Sequence, residues 1–163
     1  MPNALVLINC VADLTPGPLA ARAGGAEMAH RISPVRHLST KTPPTLIMDG
    51  SEDNWVTTAN QFTDQATALG VRCEFYIAEG EGHQFIGRSP WRDATIHKLD
   101  EFLISLGWLT GPPVMEMPKA VAWVRYQPDP AAKPNGNISP PTRRPKAPAK
   151  LEAPTADPKT DGK

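Results

Sequence analysis

The sequence predicts an α/β fold in which three parallel strands form a sheet with flanking helices. The continuous apolar run at 4–8 has the composition of a strand that is buried on both faces of a parallel sheet. A second apolar strand at 45–48 and a third strand at 72–78 are separated by one helical segment. Strand–helix–strand units imply parallel strands joined by right-handed crossovers.

The segment between the first two strands is predicted to cross over the sheet. Residues 12–40 show no clear periodicity and contain Pro16-Gly17-Pro18, Gly24-Gly25 and Ser33-Pro34. Proline and glycine of this kind mark turns and loops. We therefore expect an irregular excursion, with at most one short helix near 19–29.

A helix is predicted between the second and third strands. Thr57 or Thr58 can cap its first turn, and Gly70 suits the left-handed residue that ends a helix. Apolar residues at helical spacing mark its buried face: Phe62, Ala66 and Leu69.

The third strand and the last helix follow. Apolar and polar residues alternate from 71 to 77, which is typical of a strand with one less buried face and predicts a position near the sheet edge. Ser89 is predicted to cap the last helix, with Pro90 at its first position and Gly107 at its end. Its apolar stripe consists of Trp91, Ala94, Leu99, Phe102, Leu103 and Leu106.

The composition divides the chain near residue 111. Twelve of the 19 prolines lie in 112–163, so we predict a folded domain at 1–111 and a Pro/Ala/Lys-rich, largely disordered tail at 112–163. From residue 127 onward there is too little apolar area to offset the entropy of ordering the chain. Residues 121–126 are the exception, because they contain Trp123 and can dock as a short strand.

Charge and cysteine content exclude several classes of function. Residues 1–111 carry a net charge of −4 and the tail carries +4, and neither value indicates a nucleic-acid partner. The apolar run at 4–8 is too short to span a membrane. Cys10 and Cys73 lie in or beside apolar strands, where a free thiol packs as a small hydrophobe. We expect no disulfide, no zinc site and no cofactor.

Two side chains that can perform chemistry follow the second and third strands. Asp53 lies in the turn after the second strand, and His83 follows Glu79-Gly80-Glu81-Gly82 after the third. The carboxyl ends of parallel strands lie at one edge of a sheet, so we expect the two side chains to meet. A carboxylate that accepts a hydrogen bond from an imidazole fixes its tautomer and stabilises the imidazolium. An acid followed by a histidine is the order of the last two members of a Ser…Asp…His triad in one class of hydrolase.

Other interpretations of these residues remain. Taken singly, Asp53 is an ordinary turn aspartate and His83 an ordinary surface histidine. Asp49 and Glu52 are competing acids, although Asp49 lies nearer the strand and is expected to be structural. A metal site built from Asp49, Glu52, Asp53 and His83 has no recognisable ligand spacing, so we expect no metal.

Over about residues 3–109 the sequence resembles the C-terminal half of an α/β-hydrolase. The resemblance lies in Pro43-Pro44-Thr45-Leu46-Ile47, Gly50-Ser51-Glu52-Asp53, Leu69-Gly70-Val71 and Glu79-Gly80-Glu81-Gly82-His83. The most similar branches are the esterase/lipase-like and prolyl-oligopeptidase-like serine hydrolases. The resemblance implies that Asp53 is the catalytic acid, that His83 is the catalytic base and that the parent enzyme acts on small-molecule esters, with peptides as the alternative class.

The sequence contains no Gly-x-Ser-x-Gly, so no nucleophile is assigned. We therefore expect a hydrolase fragment that is inactive by itself. Its N-terminal half would lie upstream or in a second polypeptide. The apolar edge from Ala4 to Ile8 is expected to pair with that half or with a second copy of the chain. The alternative is a degenerate, non-catalytic hydrolase half that acts as an interaction module, tethered by its basic tail.

Overall fold

The computed structural model describes residues 2–134. Its four-stranded sheet has the order β1 (Leu5–Ile8), β2 (Thr45–Gly50), β3 (Cys73–Ala78) and β4 (Trp123–Arg125). β1 is parallel to β2 and β2 is parallel to β3, whereas β4 is antiparallel to β3. The predicted α/β fold class, with parallel strands and flanking helices, is confirmed.

The register of the parallel strands brings their carboxyl ends together. Ile8 pairs with Met48, and Met48 pairs with Tyr76. The segments that leave β1, β2 and β3 therefore all start from one edge of the sheet, where ligands bind in open α/β sheets.

The three predicted parallel strands are present, and β4 is a fourth strand that is antiparallel to them. β4 lies within the 121–126 segment that was expected to dock as a short strand, and it covers β3, which is therefore not an edge strand. Trp123 packs edge-to-face against Phe85 and Trp91, with ring centroids 5.8 Å and 5.0 Å away. These aromatic contacts fix a three-residue strand that has little periodicity of its own.

Residues beyond 111 also contribute to the core. Met117, Val121 and Trp123 pack on one face of the sheet and Tyr126 on the other. The backbone N–H of Asp129 donates to Asp64 at 3.0 Å. Of the tail predicted to be disordered from residue 127 onward, residues 135–163 lie outside the described residues, and the division of the chain at residue 111 stays a prediction.

The excursion between β1 and β2 contains two short helices, α1 (Pro18–Arg22) and α2 (Ala26–Ile32), and a 3₁₀ turn at Pro34–His37. The single helix predicted near 19–29 is thus divided. Gly24 and Gly25 separate its two parts with φ of 92° and 107°, values in the region that favours glycine.

The helix after β2, α3, spans Val56–Ala68 and has Trp55 as its N-cap without a side-chain capping bond. The predicted cap at Thr57 or Thr58 was therefore wrong, since the Thr58 hydroxyl donates to the Trp55 carbonyl at 2.8 Å. Gly70 has φ of 74° and takes the left-handed role predicted for it.

The last helix, α4, spans Trp91–Ser105 and has Pro90 as its N-cap, again without a side-chain capping bond. Ser89 does not cap it as predicted, because its hydroxyl donates to the Asp93 carboxylate at 2.6 Å. The helix is followed by Gly107, whose φ is 75°, at the predicted end.

The core lies on both faces of β2, which is buried along its whole length. The face under α3 holds Ala12, Val35, Leu38, Ile47, Ala59, Phe62, Ala66, Val71 and Phe75. The face under α4 holds Leu46, Met48, Ala78, Phe85, Trp91, Ala94 and Phe102. Burial of both faces explains the continuous apolar character of this strand.

Across residues 2–134, no helix is long and apolar enough to cross a bilayer.

Candidate active site

Asp53 is held rigidly in the turn between β2 and α3. Its backbone N–H donates to the Gly50 carbonyl at 3.2 Å, and its carbonyl accepts from the N–H of Val56 at 3.2 Å. Its Oδ1 accepts from the N–H of Trp55 at 3.0 Å, a bond to the backbone two residues on that is typical of aspartate in turns. The turn therefore fixes both the backbone of Asp53 and one of its carboxylate oxygens.

His83 lies in the loop after β3 and meets Asp53 as expected. Its Nδ1 is 2.8 Å from Asp53 Oδ2. The Asp53 side chain is 1% exposed and the His83 side chain 48% exposed. An ionised carboxylate only accepts hydrogen bonds, so Nδ1 is the donor. The other nitrogen, Nε2, has no partner within residues 2–134 and is left to accept a proton.

The two loops that carry these residues are joined to each other. The N–H of Glu52 donates to the Glu81 carbonyl at 2.9 Å, and the N–H of Gly80 donates to Ser51 Oγ at 2.8 Å. A Cβ at Gly50 would overlap the Glu81 carbonyl. The close approach of the His83 loop to the end of β2 therefore requires glycine at position 50.

Asn9 is a site residue that the sequence reasoning missed. It follows β1 directly, and its Nδ2 donates to Asp53 Oδ2 at 3.3 Å. Its φ is 50°, a left-handed value that asparagine tolerates better than most residues. The available signal was a polar residue placed immediately after an apolar strand, at the sheet edge to which Asp53 and His83 were assigned.

Asp49, near the end of β2, is fully buried. Its Oδ1 accepts from the N–H of Cys10 at 3.1 Å, and its Oδ2 has no hydrogen-bond partner in the part of the chain that the structure describes. Burial raises the pKa of Asp49 to about 7 despite the Cys10 bond, and the negative charge of Asp53 contributes in the same direction. Asp49 has no hydrogen bond to His83 within residues 2–134, and its bond to Cys10 links the end of β2 to the segment after β1.

Cys10 is a poor candidate for a nucleophile. Burial, followed by the charge of Asp49, raises the pKa of its thiol to about 12. The thiolate is the reactive form, so this side chain is unreactive at neutral pH. Both Cys10 and Cys73 are free and pack against the core under α3.

The remaining candidates lie apart from the pair. Glu52 is exposed, and its side chain has no hydrogen bond to His83. The side chain of His97, on α4, is 16% exposed, and its Nδ1 contacts the Met115 carbonyl at 2.6 Å. Among residues 2–134, no group of three or more His, Cys, Asp or Glu side chains is arranged to hold a metal ion.

A buried acid hydrogen-bonded to an accessible imidazole at the carboxyl ends of adjacent parallel strands is the arrangement of α/β-hydrolases. Residues 2–134 thus form part of an α/β-hydrolase fold.

Solved structures similar to this chain include several of esterase 2 from the planctomycete Thermogutta terrifontis. Its propionate-bound structure is 30% identical, with a TM-score of 0.59, and the match covers 67% of this chain and 44% of that one. Its native structure is 31% identical, with a TM-score of 0.59 and coverage of 66% and 44%. The form phosphoramylated by tabun is 32% identical, with a TM-score of 0.57 and coverage of 67% and 43%.

This chain thus spans less than half the length of these esterases. The predicted resemblance to esterase-type α/β-hydrolases is confirmed. No protein-family model matches the sequence, and no curated protein matches it.

Proposed function

We propose that this chain supplies the acid and the base of a Ser-Asp-His triad in a carboxylic ester hydrolase. The observation that carries the proposal is the 2.8 Å contact between the buried Asp53 carboxylate and the accessible His83 imidazole. It lies at the strand ends where this fold performs its chemistry.

In the proposed reaction a serine hydroxyl attacks the ester carbonyl and gives its proton to His83 Nε2. Asp53 keeps the imidazole in the tautomer with hydrogen on Nδ1 and stabilises the imidazolium that forms. His83 then protonates the departing alcohol, which leaves an acyl-serine. Water attacks the acyl group while His83 takes its proton, and the carboxylic acid is released as the serine regains a hydrogen.

The serine is proposed to come from a segment that this sequence does not contain, because no Gly-x-Ser-x-Gly is present. Two sources are consistent with this: a longer protein that includes this chain, or a separate polypeptide. Without a nucleophile, the chain by itself is proposed to have no esterase turnover. In triad enzymes, loss of one member already removes most of the rate acceleration.

Short-chain carboxylic esters are the proposed substrates, with peptides as the alternative class. This choice is supported by the similar esterase, whose structures include propionate-bound and butyrate-bound forms and one phosphorylated by paraoxon.

The free side of β1 is the proposed contact with the complementary half. β1 is the first strand of the described sheet and pairs with β2 alone. Its backbone groups on the other side are therefore available to another strand, and the apolar residues from Ala4 to Ile8 favour such pairing. A second copy of the chain is the competing occupant, and size-exclusion chromatography at micromolar concentration separates the two. A monomer that becomes a 1:1 complex when the other half is added supports the proposal, whereas a stable homodimer that excludes the half contradicts it.

Complementation tests the catalytic proposal. The chain is mixed with the N-terminal half of an esterase-type α/β-hydrolase chosen because it carries a Gly-x-Ser-x-Gly, and p-nitrophenyl acetate hydrolysis is measured. We expect turnover that falls roughly 10³-fold or more in His83→Gln. His30→Gln, at an exposed position on α2, is the matched control and should leave turnover unchanged.

Turnover that persists in His83→Gln would refute the site. A stable complex without turnover would favour the alternative, a non-catalytic interaction module.

A further inference from the structure

We infer that Asn9 is a positioning residue for the acid–base pair, holding the Asp53 carboxylate in the orientation that fixes the His83 tautomer. This inference deepens the proposed function, because it concerns the same pair. The inference gives a role to the segment that follows β1, which contributes no residue to the proposed triad.

The Asp53 carboxylate is shared by three donors. Trp55 N–H binds Oδ1 at 3.0 Å, while the Asn9 amide at 3.3 Å and His83 Nδ1 at 2.8 Å both bind Oδ2. The Trp55 bond alone would allow the carboxylate plane to swing about that one contact. Asn9 holds the second oxygen. Asp53 Oδ2 therefore accepts two hydrogen bonds, one from the Asn9 amide and one from the His83 imidazole.

The backbone that carries Asn9 is itself anchored at several points. The Asn9 N–H donates to the Met48 carbonyl at 3.0 Å, and the next N–H, that of Cys10, donates to Asp49 Oδ1 at 3.1 Å. Further along, Ala12 N–H donates to Thr58 Oγ1 at 3.0 Å. The segment after β1 is thus tied to β2 and to α3, so the backbone position of Asn9 does not depend on its contact with Asp53.

The backbone conformation of Asn9 supports the same role. A φ of 50° is disfavoured for residues with a Cβ and persists when the surroundings require it. Glycine adopts this conformation without strain. Asn9→Gly therefore removes the amide while it preserves the backbone, which separates a positioning role from a purely conformational one.

The experiment is nitrogen-15 NMR of the imidazoles in wild type, Asn9→Gly and Asn54→Gly. Asn54 is exposed in the same turn as Asp53. Asn54→Gly is therefore the matched control, because it also removes a side-chain amide. The ratio of Nδ1–H to Nε2–H tautomer reports which ring nitrogen is held by a partner. We expect this ratio for His83 to fall roughly five-fold in Asn9→Gly and to stay unchanged in Asn54→Gly.

The other three histidines, His30, His37 and His97, are internal controls, because an effect on folding alone would change them together with His83. A His83 ratio in Asn9→Gly equal to that of wild type would overturn the inference.

A second measurement uses the wild-type chain and does not depend on how a variant folds. The side-chain amide protons of Asn9 should exchange with solvent at least several-fold more slowly than those of Asn54, because one of them is held by a buried carboxylate. Equal exchange rates would also overturn the inference. Neither readout involves ester turnover, so failure of the proposed function and failure of this inference are distinguishable.

Discussion

Replacement of Asp49 by asparagine should change the pH dependence of stability in a defined direction. Asp49 is fully buried, and burial raises its pKa from 3.8 to about 7. Between these two values the folded chain keeps a proton that the unfolded chain has lost. The contribution of Asp49 to the stability of the fold is therefore complete below pH 3.8 and is lost progressively as the pH rises to about 7. Stability falls with increasing pH over this window.

The size of the effect follows from the difference in pKa. A difference of three pKa units corresponds to ~4 kcal/mol, since each unit is worth about 1.4 kcal/mol. Asparagine keeps an oxygen that can accept from the Cys10 N–H, and it cannot ionise. It also buries an amide group without a partner, at a cost of about 1–3 kcal/mol, but this cost does not vary with pH.

Urea unfolding at several pH values between 4 and 8, followed by the fluorescence of the four tryptophans, measures the effect. The unfolding free energy of Asp49→Asn minus that of wild type should increase by ~4 kcal/mol as the pH rises across this range. Because both proteins contain the other titrating groups, the contributions of those groups to the pH dependence cancel in this difference. The control is Glu52→Gln in the exposed part of the same turn, which should change stability by less than about 0.5 kcal/mol. A difference that stays constant from pH 4 to pH 8 would refute the reasoning.

Three further predictions concern the loops, the last strand and the isolated chain. Gly50→Ala should destabilise the fold by about 1–3 kcal/mol, because the added methyl overlaps the Glu81 carbonyl; thermal unfolding measures this, and an unchanged Tm would contradict the packing described for these loops. Trp123→Ala should cost about 2–4 kcal/mol through lost aromatic packing on Phe85; a loss below about 0.5 kcal/mol would mean that β4 contributes little. The isolated chain should not hydrolyse p-nitrophenyl acetate, and turnover that survives His83→Ala would show that another residue acts.

The parallel strands and the acid–base pair could be predicted because their signals are local. A strand buried on both faces must be apolar throughout, and the ends of adjacent parallel strands lie at one edge. The positions of Asp53 and His83 directly after two such strands therefore implied their contact without any knowledge of the intervening packing.

Features that depend on contacts between distant segments could not be predicted. Asn9 meets Asp53 across 44 residues of sequence; its position directly after an apolar strand indicates the sheet edge, but not which side chain it binds there. The sequence predicted that residues 121–126 can dock as a short strand, but not that Trp123 packs on Phe85 and Trp91. The caps predicted for α3 and α4 failed for a related reason, since the Thr58 and Ser89 hydroxyls have other partners.

The aromatic contacts of Trp123 extend to the loop that carries His83. Phe85 lies two residues after His83 and is packed edge-to-face by Trp91 and Trp123, with centroids 5.7 Å and 5.8 Å away. A chain shortened at the compositional boundary near residue 111 would lose one of these two supports. Deletion of this Pro/Ala/Lys-rich end would then act at a distance on the His83 imidazole, loosening the loop that carries it without removing any residue of the pair.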